Sequence, residues 1–418
     1  MNDSAEPRRP ALPHALAALV LALLLGLQPV TTDLMLPALP ALATGLAAPM
    51  AAVQLTMSAL ILAFGLAQLV WGPVADRFGR RPVLLAGLAL YVLASIGATL
   101  GGGIAQVVGW RILQGAALAV PVVCARAMVR DLYEPHEGAM VMARALSGLG
   151  LIAIASPLSA GLLVSAFGWR AALAAMAAVG AASWLFIALR LPETIRRRDP
   201  QATRLAPLLA QVRRTLAHPG FRAWALLVCA TYGGLFVFLA GSGVTLIAVL
   251  GLSPPAAGLV MSTMSLAYIG GTLFCRRWLP RHSLVGTVQR GTRFTALALL
   301  GLLLVAWAEP RSVLLVMAPC WAYGMGHGVH QPCGQTGAVG PFPHAAGLAS
   351  AVAGCVLALG AFAIGLWLGQ ALDGRSVRPL ALGMAAGAAA TLLVACTLVR
   401  RHGEARLPEA AAAAGAPP

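Results

Sequence analysis

Apolar stretches of about twenty residues follow one another along the chain nearly to its end, each closed by a short polar or glycine-rich break. About twenty apolar residues wound as a helix cross ~30 Å of hydrocarbon. The pattern predicts an all-α integral membrane protein with twelve transmembrane helices, roughly over 13–36, 51–72, 82–101, 104–128, 138–165, 169–190, 221–249, 256–275, 284–308, 311–333, 346–370 and 377–399. The longest polar stretch, 191–220, is rich in Arg and Pro and reads as a cytoplasmic linker between an N-terminal half (1–190) and a C-terminal half (221–402). Residues 403–418 are low in complexity and are expected to be a disordered cytoplasmic tail. The halves echo each other: 63–81 and 267–282 both lead from a small-residue helix into arginines, as repeats do in transporters.

Composition agrees with this pattern, since 59% of the 418 residues are hydrophobic and only 10% are charged, against about 25% charged in a soluble domain. The formal charge of +16 would suggest nucleic acid in a soluble protein. Here every basic residue is arginine, and the arginines gather at 77–81, 190–222, 276–293 and 400–406, whereas the connections near 38–50, 100–104 and 250–255 carry no charge. By the positive-inside rule this places both termini in the cytoplasm and gives no reason to expect a nucleic-acid partner. Arg8 and Arg9 before the first apolar run are read as flanking an uncleaved first span. The seven cysteines show no metal-ligand spacing and are expected to be small buried hydrophobes.

Between the second and third spans lies 71-WGPVADRFGRRPVLLAG-87. Gly72 and Pro73 are expected to end one helix, Asp76 to meet free backbone N–H groups, and Gly79 to allow a left-handed turn before Arg80, Arg81 and Pro82 start the next. An acid among Arg77, Arg80 and Arg81 can form a charge-assisted lock. Asp131 ends the fourth span on the same side and completes a predicted Asp76–Arg–Asp131 network.

Asp33 is the only acid deep in a predicted span, and an intramembrane carboxylate points to function. It is expected to carry a proton. Arg111 lies at a similar depth in the fourth span, so movement of one helix against the other would change the acid's proton affinity. One proton entering down ~100 mV and one pH unit releases about 3.7 kcal/mol, enough for a several-hundred-fold gradient of a neutral solute. No Walker-type loop appears, so no cofactor is expected beyond the proton gradient.

Met35, Tyr232, Phe236, Met264 and Tyr268, with Phe238 and Met261, are candidates for an adaptable apolar pocket facing Asp33. His327 and His330 have no third ligand nearby; packing or interfacial hydrogen bonding is their expected role, with no metal site. No Ser/His, His/Asp or metal pairing suits an enzyme, and no soluble domain suits a sensor. A metabolite transporter for sugars, nucleosides or amino-acid derivatives, running export or symport, is the alternative. The scarcity of polar groups in the spans argues against a sugar site.

The loop 72-GPVADRFGRR-81 resembles, position by position, the signature loop of the major facilitator superfamily. Arg111 to Gly115 looks like the family's second motif, and 148-GLGLIAIASPLSAGLL-163 resembles its antiporter motif, with Gly148, Pro157 and Gly161 in place and Ser156 and Ala160 standing for glycines. Within the superfamily, 31-TTDLMLPALP-40, 129-VRDLY-133, 324-GMGHGVHQP-332 and 341-PFPH-344 look most like the Bcr/CflA group of bacterial drug exporters. The resemblance implies two pseudo-symmetric six-helix bundles rocking about a central cavity in the bacterial inner membrane. It also implies a monomer surrounded by lipid that exports small, largely apolar drugs in exchange for protons. The loop around Asp76 would then latch the N-terminal half in the outward-facing form.

Overall fold

The computed structural model describes residues 13–133, 135–195 and 198–404; Arg8, Arg9 and 405–418 of the tail lie outside the described residues. The N-terminal half holds α1 (His14–Asp33), α2 (Ala38–Gly45), α3 (Met50–Phe78), α4 (Arg80–Leu100), α5 (Ile104–Leu132), α6 (Pro135–Phe167) and α7 (Trp169–Arg190). A short helix, α8 (Leu205–Ala217), follows in the linker. The C-terminal half holds α9 (Pro219–Val244), α10 (Pro254–Trp278), α11 (Leu284–Ala308), α12 (Val313–Val339), α13 (Ala346–Ala371) and α14 (Arg378–Val394). π-Helical turns prolong α9 and α14.

Eleven helices among the described residues are long and apolar enough to cross a membrane. The remaining long helix, α12, carries His327, His330, Gln331 and Gln335. Much of it is buried among its neighbours, so it does not need the apolar surface of a lipid-facing span.

The first span departs from its predicted form. It does not stop at residue 36: α1 ends at Asp33, a turn covers 34–37, and α2 continues to Gly45. The prolines explain the break, because Pro37 has no N–H to offer the Asp33 carbonyl. That carbonyl instead accepts from Leu36 N at 3.2 Å, in a tighter turn.

Helix packing repeats between the halves. In the first, α1 packs on α6, α3 and α4 on α5, and α4 on α7; in the second, α9 packs on α13, α10 and α11 on α12, and α11 on α14. Two seams join the halves, α3 with α13 and α6 with α10. The inner helices α1 and α5 do not pack extensively on α9 and α12, which leaves a gap between the four.

The gap is closed at one end. At the end bearing α2, here the far end, one apolar cluster draws Leu36 and Val53 from the first half together with Phe236 and Val244 from the second. Toward the end bearing His14 and Gly403, the terminal end, each half keeps its own cluster, one built around Leu84 and Met128, the other around Trp224 and Val288. Glycines make the far-end closure tight. The carbonyl oxygens of Leu36, Pro157 and Pro254 occupy the places that side chains would take on Gly243, Gly258 and Gly161. Gln54 adds a hydrogen bond from Nε2 to Ala240 O, 2.7 Å.

Charge is not confined to the terminal end. Glu309 and Arg378 pair at 2.8 Å at the far end, beside Arg375, whose N–H bonds Asp373 Oδ1. The linker is also more structured than its composition suggests, since α8 rests on α9 and α13 through Leu208, Val212 and Thr215. Cys275 and Cys333 bring their sulfurs to 3.6 Å, while Cys396 is exposed, contrary to the expectation that all seven are buried.

Candidate functional site

Asp33 sits at the break between α1 and α2, facing the gap. Counting from Gly45, it lies about twelve residues from the far end, or ~18 Å, much deeper than in a first span ending at residue 36. It is the one buried acid among the described residues, at 8% exposure. Oδ1 accepts from Thr32 Oγ1 at 2.7 Å, and no cation pairs with the carboxylate among the described residues. Tyr232 of the opposite half stands within electrostatic reach.

Arg111 is fully buried inside the N-terminal half. Its Nη2 donates to Thr31 O at 3.2 Å, Nε to Thr56 O at 3.2 Å, and Nη1 to Gln114 Oε1 at 2.6 Å. Gln114 passes the network on to Ser95 Oγ at 2.6 Å. Thr31 Oγ1 and Tyr91 Oη share a hydrogen bond of 2.6 Å. Close approach of α3 and α5 permits this, since the Leu60 carbonyl fills the place of a side chain on Gly115. Arg111 therefore holds the α1 backbone just before Asp33 and leaves the carboxylate alone.

The second half repeats this arrangement with a different side chain. Tyr323 on α12 donates to Thr231 O on α9 at 2.8 Å, as Arg111 on α5 donates to Thr31 O on α1. His327 lies one turn further along α12, with Nδ1 3.1 Å from Thr231 Oγ1.

Of the predicted pocket residues, Tyr232 and Tyr268 keep part of their surface open, whereas Met35, Phe236 and Met264 are buried in the far-end cluster with Phe238 and Met261. Residue type alone, methionine and aromatic, does not separate a cavity wall from the packing of the far-end closure. His330 is not interfacial: it is buried between α11 and α12, with Nε2 3.0 Å from Thr295 Oγ1 and Nδ1 unpartnered.

At the terminal end the predicted ion network is present. Arg80 pairs with Asp76 at 2.5 Å through Nη2 and with Asp131 at 3.1 Å through Nε. Two local expectations fail. Gly72 and Pro73 do not end the helix, because α3 runs on to Phe78 and absorbs the proline. Asp76 consequently stands in the last helical turn, one turn before Arg80, and not at free N–H groups. Gly79 does take a positive φ of 106°.

The residue that holds this loop is one the sequence reading missed. Glu193 accepts from Arg80 N at 3.0 Å and Arg81 N at 3.3 Å, capping α4, and its Oε1 also accepts from Thr194 N at 2.9 Å. A side chain on Gly79 would collide with it. The linker wraps the loop further: Asp199 N donates to Asp76 O at 3.1 Å, and Arg77 Nη1 to Thr203 Oγ1 at 2.6 Å. Arg81 Nη2 reaches Ala188 O at 2.9 Å. These ion pairs tie helices of one half to each other. Between the halves the terminal end shows a hydrogen bond from Arg126 Nη1 to Ser350 Oγ, 2.9 Å.

The predicted antiporter helix is α6. Gly148 packs beside Ala22 of α1, and Pro157 and Gly161 meet Gly258 and Pro254 across the seam with α10.

The model of the Major Facilitator Superfamily matches residues 21–365. The chain belongs to this superfamily. Among curated proteins, Multidrug resistance protein D of Escherichia coli (strain K12) is 31% identical over 80% of this chain and 84% of its own length. Chloramphenicol resistance protein of Pseudomonas aeruginosa is 32% identical over 78% of this chain and 76% of its own. A partially occluded inward-open structure of the xylose transporter XylE from E. coli superposes with a TM-score of 0.71 at 15% identity, covering 93% of this chain and 97% of that one, which is a likeness of fold. This superfamily member is a multi-pass membrane transporter, and the names of its relatives agree with the Bcr/CflA resemblance.

Proposed function

We propose that the protein exports small, largely apolar compounds, antibiotics among them, across the bacterial inner membrane in exchange for protons. The observation that carries this reading is Asp33: a buried carboxylate without a cation partner among the described residues, placed at a helix break and facing a gap closed at the far end. A carboxylate so placed can bind a proton from one side and release it to the other as the halves rock. Relatives named for multidrug and chloramphenicol resistance support drugs as the cargo.

In this reading the terminal end faces the cytoplasm and the far end the periplasm, so the conformation is closed to the outside. Arg111 fixes the α1 backbone so that Asp33 keeps its position when α1 moves with its bundle. The Asp76–Arg80–Asp131 network and Glu193 make the α3–α4 loop and linker one rigid unit on the gating side, and because the network is intact while the outside is closed, it does not act as the latch of the outward-facing form expected from the sequence. A single chain works alone, driven by the proton gradient and without a further cofactor. The test is purified protein in liposomes with an imposed pH gradient: adding chloramphenicol should release protons from the acidic side at a rate that saturates. No drug-dependent proton movement with a panel of neutral and cationic antibiotics would defeat the proposal.

A further inference from the structure

On the outside of the C-terminal half, the exposed faces of α10 and α11 carry columns of leucines running toward the terminal end: Leu266 and Leu273 on α10, and Leu304, Leu300 and Leu297 on α11. Spacings of three, four and seven residues keep each column on one helix face. Each column ends in an arginine. Arg277 stands one turn beyond Leu273, and Arg293 one turn before Leu297, both exposed. Arg290, half-buried, lies one further turn toward the terminal end.

These are not loop charges. Arg293 is nine residues past the start of α11 at Leu284, or ~14 Å along the axis of a helix apolar enough to cross a membrane. No ion pair, hydrogen bond or aromatic ring face among the described residues takes up Arg277, Arg290 or Arg293. Arg80, Arg111 and Arg378, by contrast, all have protein partners. A cation on a lipid-facing surface at this depth is costly unless its stem lies along the apolar wall and its head reaches an anion.

The surface beside the arginines is aromatic. Phe294 of α11 meets Phe274 and Trp278 of α10 with ring centroids 5.4 and 6.2 Å away, and Phe274 lies 5.4 Å from Trp278. Aromatic rings gathered near the end of a span mark the level at which acyl chains give way to headgroups. No Asp or Glu occurs between Asp199 and Glu309, nor on α12 or α14, against which α11 packs. Such unopposed positive charge suits an anion, and it gives the ammonium of a zwitterionic headgroup no carboxylate to meet.

We propose that Arg277, Arg290 and Arg293 hold the phosphate of an anionic phospholipid, whose acyl chains lie along the ring layer and the leucine columns. The site needs only a chain that spans a membrane; assigning the lipid to the cytoplasmic leaflet rests on the orientation proposed above. Phosphatidylglycerol serves as the probe, titrated into the detergent-purified full chain, with native mass spectrometry reading the Kd of the first bound lipid. Phosphatidylcholine with the same acyl chains should bind more weakly to the parent.

The affinity for phosphatidylglycerol should fall about five- to ten-fold in Arg293→Gln and in Arg277→Gln. Arg213→Gln, which removes an exposed arginine of α8, should bind as the parent does. An unchanged thermal midpoint in lipid-free detergent shows that all three variants are folded. Parental affinity in both Arg277→Gln and Arg293→Gln, equal weakening in Arg213→Gln, or equal binding of phosphatidylcholine overturns the site. Drug-driven proton flux takes no part in this readout, so its absence would defeat the transport reading and leave the lipid site standing.

Discussion

Arg111 donates to the backbone carbonyl of Thr31, two residues before Asp33, and makes no ion pair with the Asp33 carboxylate. The arginine's charge is therefore not what matters most; its planar fork is. Arg111→Lys should fail, because one ammonium cannot serve Thr31 O, Thr56 O and Gln114 Oε1 together. Expected outcomes are a fall of several degrees in the thermal midpoint in detergent and loss of transport. A double-mutant cycle of Asp33→Asn with Arg111→Gln should show a coupling of stability under about 0.5 kcal/mol. A coupling of several kcal/mol would instead reveal a direct charge pair.

Asp33→Asn preserves shape and can still accept from Thr32 Oγ1. It should therefore leave folding and drug binding close to normal while abolishing drug-driven proton flux in liposomes. Flux at the parental rate would remove Asp33 from the proton pathway.

Arg80 holds two carboxylates, and Glu193 caps the helix that Arg80 begins. Replacing Arg80 with Ala leaves Asp76 and Asp131 facing each other without a cation and should cost about 2–4 kcal/mol. Glu193→Ala should cost less in stability but free the linker. Limited trypsin digestion should then cut at Arg204, Arg213 or Arg214 several-fold faster than in the parent, and equal rates would show that Glu193 does not anchor the segment.

Gly161 packs against the Pro254 carbonyl at the far end, in the place where a larger residue would need room. Gly161→Val should hinder far-end closure and shift the population toward the form open at that end. Spin labels on residues 47 and 251 should report a longer mean separation in the variant. An unchanged distance distribution would mean that the seam relaxes locally.

Much of this was legible in the sequence. The spans, the Asp76–Arg80–Asp131 network and the standing of Asp33 as the one deep acid follow from hydropathy, spacing and the rarity of acids, whereas its separation from Arg111 does not. The depth of Asp33 was not, because Pro37 tightens a turn without ending the passage of the chain across the membrane. Glu193 carried a faint signal as a lone acid after Pro192, just before an arginine run, yet only the folding back of the linker shows what it caps. Arg111 was placed correctly, but hydropathy does not say which way a guanidinium points. The buried place of His327 beside Thr231 agrees with the packing or hydrogen-bonding role expected of it, whereas its two tyrosine neighbours come from other helices and are not legible in spacing along α12.

The far-end closure joins glycine Cα–H groups to carbonyl oxygens at Gly161, Gly243 and Gly258. Contacts of this kind contribute about 0.5–1 kcal/mol each, and the carbonyls they release are ones that water readily solvates. Parting these three contacts should therefore cost no more than the ~3.7 kcal/mol that one proton yields on entering down 100 mV and one pH unit. Glycine and backbone form only part of the join, beside the apolar cluster of Leu36, Val53, Phe236 and Val244 and the Gln54 hydrogen bond, so one proton matches the cost of these three contacts and not that of the whole gate.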